Sequence, residues 1–139
     1  MDCFGKNRLA MTEFNSVTLA FLGDAFYELV VRRKLAGSGA VYAADKLHHA
    51  AVRYVKASSQ AVAMRAMIAR ALLSEEEGEI VRKARNRKPK TVPKNTDPVD
   101  YKLATALEAL IGYHYSGGRT ERAEAVAELA MQLIDEVGN

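Results

Sequence analysis

Two acids sit where an acid is expensive. Asp24 lies within Val17-Thr18-Leu19-Ala20-Phe21-Leu22-Gly23-Asp24-Ala25-Phe26-Tyr27-Glu28-Leu29-Val30-Val31, and Glu108 within Tyr101-Lys102-Leu103-Ala104-Thr105-Ala106-Leu107-Glu108-Ala109-Leu110-Ile111-Gly112. Both stretches read as helices that are apolar around most of their circumference, which places both in a core. A carboxylate loses its hydration there unless a donor, a charge or a metal ion replaces the water. Packed helices lie roughly 8–10 Å apart, so the two carboxylates can face one another around a hydrated divalent cation. Capping or ion pairing is the plainer use of a lone acid. Glu28, one turn beyond Asp24, is a weaker candidate to stand behind the pair, in competition with an ion pair to Arg32.

A second feature carries the opposite charge. Arg82, Lys83, Arg85, Arg87, Lys88, Lys90 and Lys94 fall in one stretch with no acid among them. Against a formal net charge of +3, this leaves the rest of the chain mildly acidic. Such a run can be a solvated surface loop or a phosphate-binding track. Its prolines and polar residues predict an extended loop over about 82–96, ending where the Glu108 helix begins. A charged polymer could therefore meet the loop and the acid together. Arg85, Arg87, Lys88, Lys90 and Lys94 are the candidate phosphate contacts.

Positioning the acids falls to two helices. Asn15 or Ser16 can cap the first, which is predicted to run to about Leu35 before Gly37-Ser38-Gly39 ends it. Thr96 or Asp97 can cap the second, Pro98 suits its first turn, and Gly117-Gly118 ends it. Gly23 beside Asp24 and Gly112 just beyond Glu108 would let the two backbones approach closely. Asp97 and Asp100 lie too far along the helix to share a cation with Glu108, and read as a cap and a first-turn residue.

The remaining segments also read as helices. Val41 to about Val55 offers Leu47, Ala51, Val52 and Val55 for packing, and a helix beginning at Ser58 or Ser59 continues through Leu73. Ser74-Glu75-Glu76-Glu77 has a capping-box pattern whose acids read as a solvated helix start. Thr120 opens a last helix packing through Ala123, Val126, Ala127, Ala130, Leu133, Ile134 and Val137. Met1 to Glu13 reads as an irregular lead-in. The expected architecture is all-α.

With 139 residues, 49% of them hydrophobic and three prolines, the chain reads as one folded domain over 1–139. Asp24, Glu28 and Arg32 interrupt the first apolar stretch, so no membrane span is expected. There is no signal-peptide pattern, and the single Cys3 fits a reducing cytoplasm. His48, His49 and His114 lack a zinc-site spacing.

Two motifs, in order, carry a family resemblance. Leu19-Ala20-Phe21-Leu22-Gly23-Asp24-Ala25-Phe26-Tyr27-Glu28 resembles the signature helix of the ribonuclease III catalytic domain. Lys94-Asn95-Thr96-Asp97-Pro98 followed by Ala104-Thr105-Ala106-Leu107-Glu108-Ala109-Leu110-Ile111-Gly112 resembles the second catalytic helix of the Mini-ribonuclease III branch. The resemblance covers essentially the whole chain. It implies that Asp24 and Glu108 are metal ligands. Further acids of full-length relatives fall on Val17, Ala20 and Thr105 here, so a fully furnished two-metal site is not implied.

The resemblance further implies a helical homodimer that uses Mg2+ to cut double-stranded RNA, leaving 5′-phosphate and 3′-hydroxyl ends. Precursor large-subunit (23S) ribosomal RNA is the implied substrate, with a ribosomal protein as a further partner. No separate double-stranded RNA-binding domain is expected at this chain length. Two other classes compete: a catalytically inactive RNA-binding or ribosome-assembly protein, and a helix-turn-helix DNA-binding module. The second of these leaves the two acids unexplained.

Overall fold

A computed structural model describes residues 15–39 and 43–138. The described residues form six helices and no strand: α1 (Ser16–Ala36), α2 (Ala44–Val55), α3 (Ala57–Ala69), α4 (Glu75–Asn86), α5 (Pro98–Ser116) and α6 (Thr120–Gly138). The expected lead-in and the start of the second helix at Val41 lie outside the described residues.

Helix ends follow from local chemistry. The Asn15 side chain accepts from the Thr18 N–H at 2.9 Å, and Arg33 and Lys34 sit in the last turn of α1, where the helix dipole favours cations. Asp97 accepts from the Val99 and Asp100 N–H groups at 2.8 and 3.2 Å, with Pro98 in the first turn of α5. Ser74 and Glu77 form the reciprocal capping box that opens α4. The helix expected to reach Leu73 stops at Ala69, because the chain turns at Ala71 through a positive φ of 53°.

α5 is the hub, with α1, α3, α4 and α6 packed around it. Its Leu103, Ala106, Leu107, Leu110 and Ile111 are buried. The α1–α5 contact is backbone against backbone. A Cβ on Gly23 would overlap the Glu108 carbonyl, and one on Gly112 would overlap that of Leu19. Glycine at both positions is therefore required, and it sets Asp24 beside Glu108.

Three expectations are corrected. α1 is not buried all round: Leu19, Ala20, Tyr27, Val30 and Val31 face the core, while Phe21 is 77% and Leu29 62% exposed. Asp24 is on the exposed side, because among the described residues no other helix covers that face. Glu77 is not a solvated first-turn acid but 4% exposed. Its carboxylate accepts from Arg122 Nε and Nη2 at 2.9 Å each and lies 2.6 Å from His114 Nε2. Val137 is exposed, beyond the reach of the α6 packing face. Among the described residues no helix is long and apolar enough to cross a membrane.

Candidate active site

A cleft of about 210 Å³ opens between α1, α5 and the chain leaving α4. Asp24 enters it from α1, Glu108 and Lys102 from α5, and Arg87 from the segment after α4. The close glycine contact explains the geometry on the acidic side. The two helices touch at the residue next to Asp24 and at the turn carrying Glu108, so both carboxylates open on the same gap.

The two acids differ in environment. Asp24 is exposed and Glu108 half-buried. Burial, then the neighbouring Asp24 carboxylate, pushes the Glu108 carboxyl up to about 8, with a smaller contribution from Glu28. The Asp24 and Glu108 side chains are within hydrogen-bonding reach of each other. Gln60 opposes the shift by donating Nε2 to Glu108 Oε2 at 3.3 Å. Without a counter-charge, Glu108 therefore favours its protonated form at neutral pH. Such a pair asks for a cation.

The two acids singled out in sequence thus come together. Glu28 sits close enough to act on Glu108 through space, and also approaches Arg32 at 4.0 Å, the simpler partner foreseen for it. The basic candidates divide. Arg87 lines the cleft, whereas Arg85 lines a separate apolar groove between α3 and α4. Lys88, Lys90 and Lys94 are exposed on the connection from residue 87 to 97. The extended segment is shorter than expected, because Arg82 to Asn86 continue α4 and Arg82 pairs with Glu79 at 2.9 Å.

Lys102 and Gln60 were not among the candidate site residues. Lys102 and Thr105 lie at successive steps of three before Glu108, a spacing that puts them along one side of a helix, so Lys102 was discoverable. Gln60 carried no such signal, since it lies 48 residues from Glu108 on another helix.

The residues present fit a hard divalent ion that keeps much of its water. Two carboxylates converge, and among the described residues no cation offsets the half-buried one. Among the described residues no three His, Cys, Asp or Glu side chains gather into a cage. Magnesium tolerates this arrangement because water and substrate oxygens can complete its octahedral shell.

Comparison with known proteins fits this geometry. Residues 17–119, which span α1 to α5 and the acidic cleft between them, match the ribonuclease III domain, and this places the chain in the ribonuclease III class of nucleases. Mini-ribonuclease 3 of Symbiobacterium thermophilum is 42% identical over 119 residues, covering 86% of this chain and 89% of that protein. Mini-ribonuclease 3 of Brevibacillus brevis is 42% identical over 121 residues, 87% of this chain and 88% of that one. The crystal structure of protein FN1578 from Fusobacterium nucleatum superposes with a TM-score of 0.74 at 32% identity, covering 86% of this chain and 93% of the other. The chain belongs to the ribonuclease III family, in its Mini-ribonuclease III branch.

Proposed function

We propose that this protein is a cytoplasmic, magnesium-dependent endoribonuclease that hydrolyses phosphodiester bonds in double-stranded RNA, leaving 5′-phosphate and 3′-hydroxyl ends. Precursor 23S ribosomal RNA is the proposed substrate, with a ribosomal protein as an additional partner. The observation that carries the reading is the meeting of Asp24 and Glu108 in one cleft beside the cations of Arg87 and Lys102.

In this reading Asp24 and Glu108 hold Mg2+, with Glu28 adding negative potential from behind. When bound, the ion supplies Lewis-acid stabilisation of charge developing on the phosphate and lowers the pKa of water. Arg87 and Lys102 hold the scissile phosphate against the acids, which would otherwise repel it. Arg85, Lys88, Lys90 and Lys94 extend the contact along the strand. These are phosphate contacts, which orient a duplex without reading its bases; selection then rests on A-form shape and 2′-hydroxyls.

The working unit is proposed to be a homodimer. Val17, Phe21, Ala25 and Leu29 recur every four residues along the exposed side of α1, and form an apolar stripe next to Asp24. A second copy on this stripe would remove it from water and bring two clefts to one face, one for each strand.

The test is cleavage of a defined RNA duplex with and without Mg2+, using Asp24→Asn and Glu108→Gln as controls. Scission that requires Mg2+ and both acids is expected; cleavage unchanged in either variant removes the assignment. A second reading, an inactive RNA-binding protein, draws on the pairing of only two acids where Ala20 and Thr105 offer no further carboxylate. Retained duplex binding without Mg2+-dependent scission selects it.

A further inference from the structure

Between α2 and α3 the chain breaks for one residue. Lys56 is extended, with φ −64° and ψ 149°, and serves as the end of one helix and the start of the next. Such a break strands the last carbonyls of α2 without partners in their own helix. Side chains from beneath the cleft take up two of them. Tyr27, three residues after Asp24, donates its hydroxyl to the Tyr54 carbonyl at 2.9 Å. Gln60 donates Nε2 to the Val55 carbonyl at 2.8 Å.

The same Nε2 donates to Glu108 Oε2 at 3.3 Å. Both neighbours are acceptors, so the amide has one workable orientation, with its nitrogen between them. Gln60 is 2% exposed, and its Oε1 has no hydrogen-bond partner. An unpaired buried acceptor is destabilising. A methionine of similar length would avoid that cost but would strand the Val55 carbonyl. What the amide offers beyond that single bond is its second donated hydrogen, which reaches Glu108.

We propose that Gln60 is the positioning residue of the site: its amide ties one oxygen of the Glu108 carboxylate to the α2–α3 junction and leaves the other for Asp24 and the divalent cation. Glu108 is then held in one rotamer by a group fixed to backbone on its far side. Asp24 receives a comparable brace, because Tyr27 ties the same stretch of α1 to the end of α2. The carbonyl end of α2 is the shelf on which both acids are set. This inference rests on the reading of Asp24 and Glu108 as the pair that holds the metal.

The experiment measures Mn2+ binding to the metal-free full chain by electron paramagnetic resonance, for wild type, Gln60→Met, Asp24→Asn and Glu108→Gln. Thermal melting is followed in parallel. Gln60→Met keeps the length and removes both donated hydrogens. Its expected signature is a Mn2+ affinity about 10–100-fold weaker, the loss found when a partner behind a metal ligand is removed. In duplex cleavage, kcat falls and the Mg2+ requirement rises while KM for RNA stays near wild type. A purely structural glutamine would shift the melting temperature and leave Mn2+ affinity alone.

Wild-type Mn2+ affinity in Gln60→Met overturns the proposal. If Asp24→Asn and Glu108→Gln lose Mn2+ in that case, the metal-binding pair stands and only the role of Gln60 falls. If those two bind Mn2+ normally, the pair itself falls and takes the inference with it. Should Gln60→Met fail to fold, Gln60→Asn replaces it. Its shorter amide cannot span both acceptors, so weakened Mn2+ binding is again expected, and unchanged binding is again fatal.

Discussion

α1 and α5 look alike in sequence: each is a long apolar helix interrupted by an acid. In the fold they are opposites. α5 has neighbours on most sides, and its acid is half-buried with a raised pKa. α1 uses one side for the core and leaves Phe21, Leu29 and Asp24 exposed on the other. An apolar circumference therefore reports two different things, a central place among the described helices or a face left open on one side. The acids inherit the difference. Glu108 needs a counter-charge to ionise readily at neutral pH, while Asp24 completes the pair from the exposed rim.

The strongest way to break this comparison is to neutralise each acid. Asp24→Asn and Glu108→Gln are expected to lower kcat by more than the roughly 100-fold upper range for a partner behind a ligand. Their stabilities should diverge. The Glu108 carboxyl rises from 4.5 to about 8 on folding, so the native state retains a proton that the unfolded chain has lost. In metal-free protein this makes stability fall as pH rises from about 4.5 to about 8. Glu108→Gln should flatten that part of the curve, and Asp24→Asn should retain most of it because burial is the larger cause of the shift. Denaturant midpoints across the pH range decide this. Equal curves for wild type and Glu108→Gln would contradict the buried, uncompensated carboxyl.

Next in size is the contact that joins the helices. Gly23→Ala or Gly112→Ala forces a methyl into a facing backbone carbonyl, which no rotamer change relieves. The expected loss is about 3 kcal/mol, the upper part of the usual overpacking range, and cleavage should fall with it as the acids separate. Gly78 is the control. It is helical with open space at its Cβ, so Gly78→Ala should add up to about 1 kcal/mol. Calorimetry showing the same sign at all three positions would count against the close packing.

The exposed side of α1 is tested by Phe21→Asp. In a dimer built on this stripe, each Phe21 would contribute roughly 1.5–3 kcal/mol of burial. Sedimentation should show a folded monomer, because Phe21 supports little of the monomer's own core. An undiminished dimer would place the interface elsewhere.

What was legible in the sequence was local. Asn15, the Ser74–Glu77 box, Asp97-Pro98 and the terminal glycines each announce a helix end through groups only a few residues apart. The Gly23–Gly112 approach was legible because both glycines sit beside the acids they bring together. What was hidden depended on distant partners. Glu77 looked like a solvated acid because Arg122, which buries and neutralises it, lies 45 residues away. Burial alone would raise the Glu77 carboxyl, but hydrogen bonds from Arg122, Ser74 and His114 hold it at about 2. Gln60 was silent for the same reason. The bare side of α1 was silent for another: apolar periodicity shows that a face wants cover, not which chain supplies it.

The smallest expected effect separates the two classes of cation. Lys102 is half-buried on α5 and lines the cleft, whereas Lys94 is exposed on the segment leading to it. Lys102 has no ion-pair partner among the described residues, so its charge is available to a phosphate. Each lysine that meets a phosphate should contribute about one to the slope of log affinity against log salt. Lys94→Ala should therefore weaken duplex capture and flatten the salt dependence while leaving kcat unchanged. Lys102→Ala should flatten the slope by a similar amount and also lower kcat by about tenfold, roughly 1.4 kcal/mol of transition-state stabilisation. Its charge would face the reacting phosphate rather than a neighbouring one. Single-turnover cleavage at saturating enzyme separates these outcomes. If Lys102→Ala affects binding alone, the lysine belongs with the outer track, and the chemistry of the cleft rests on Asp24, Glu108 and Arg87.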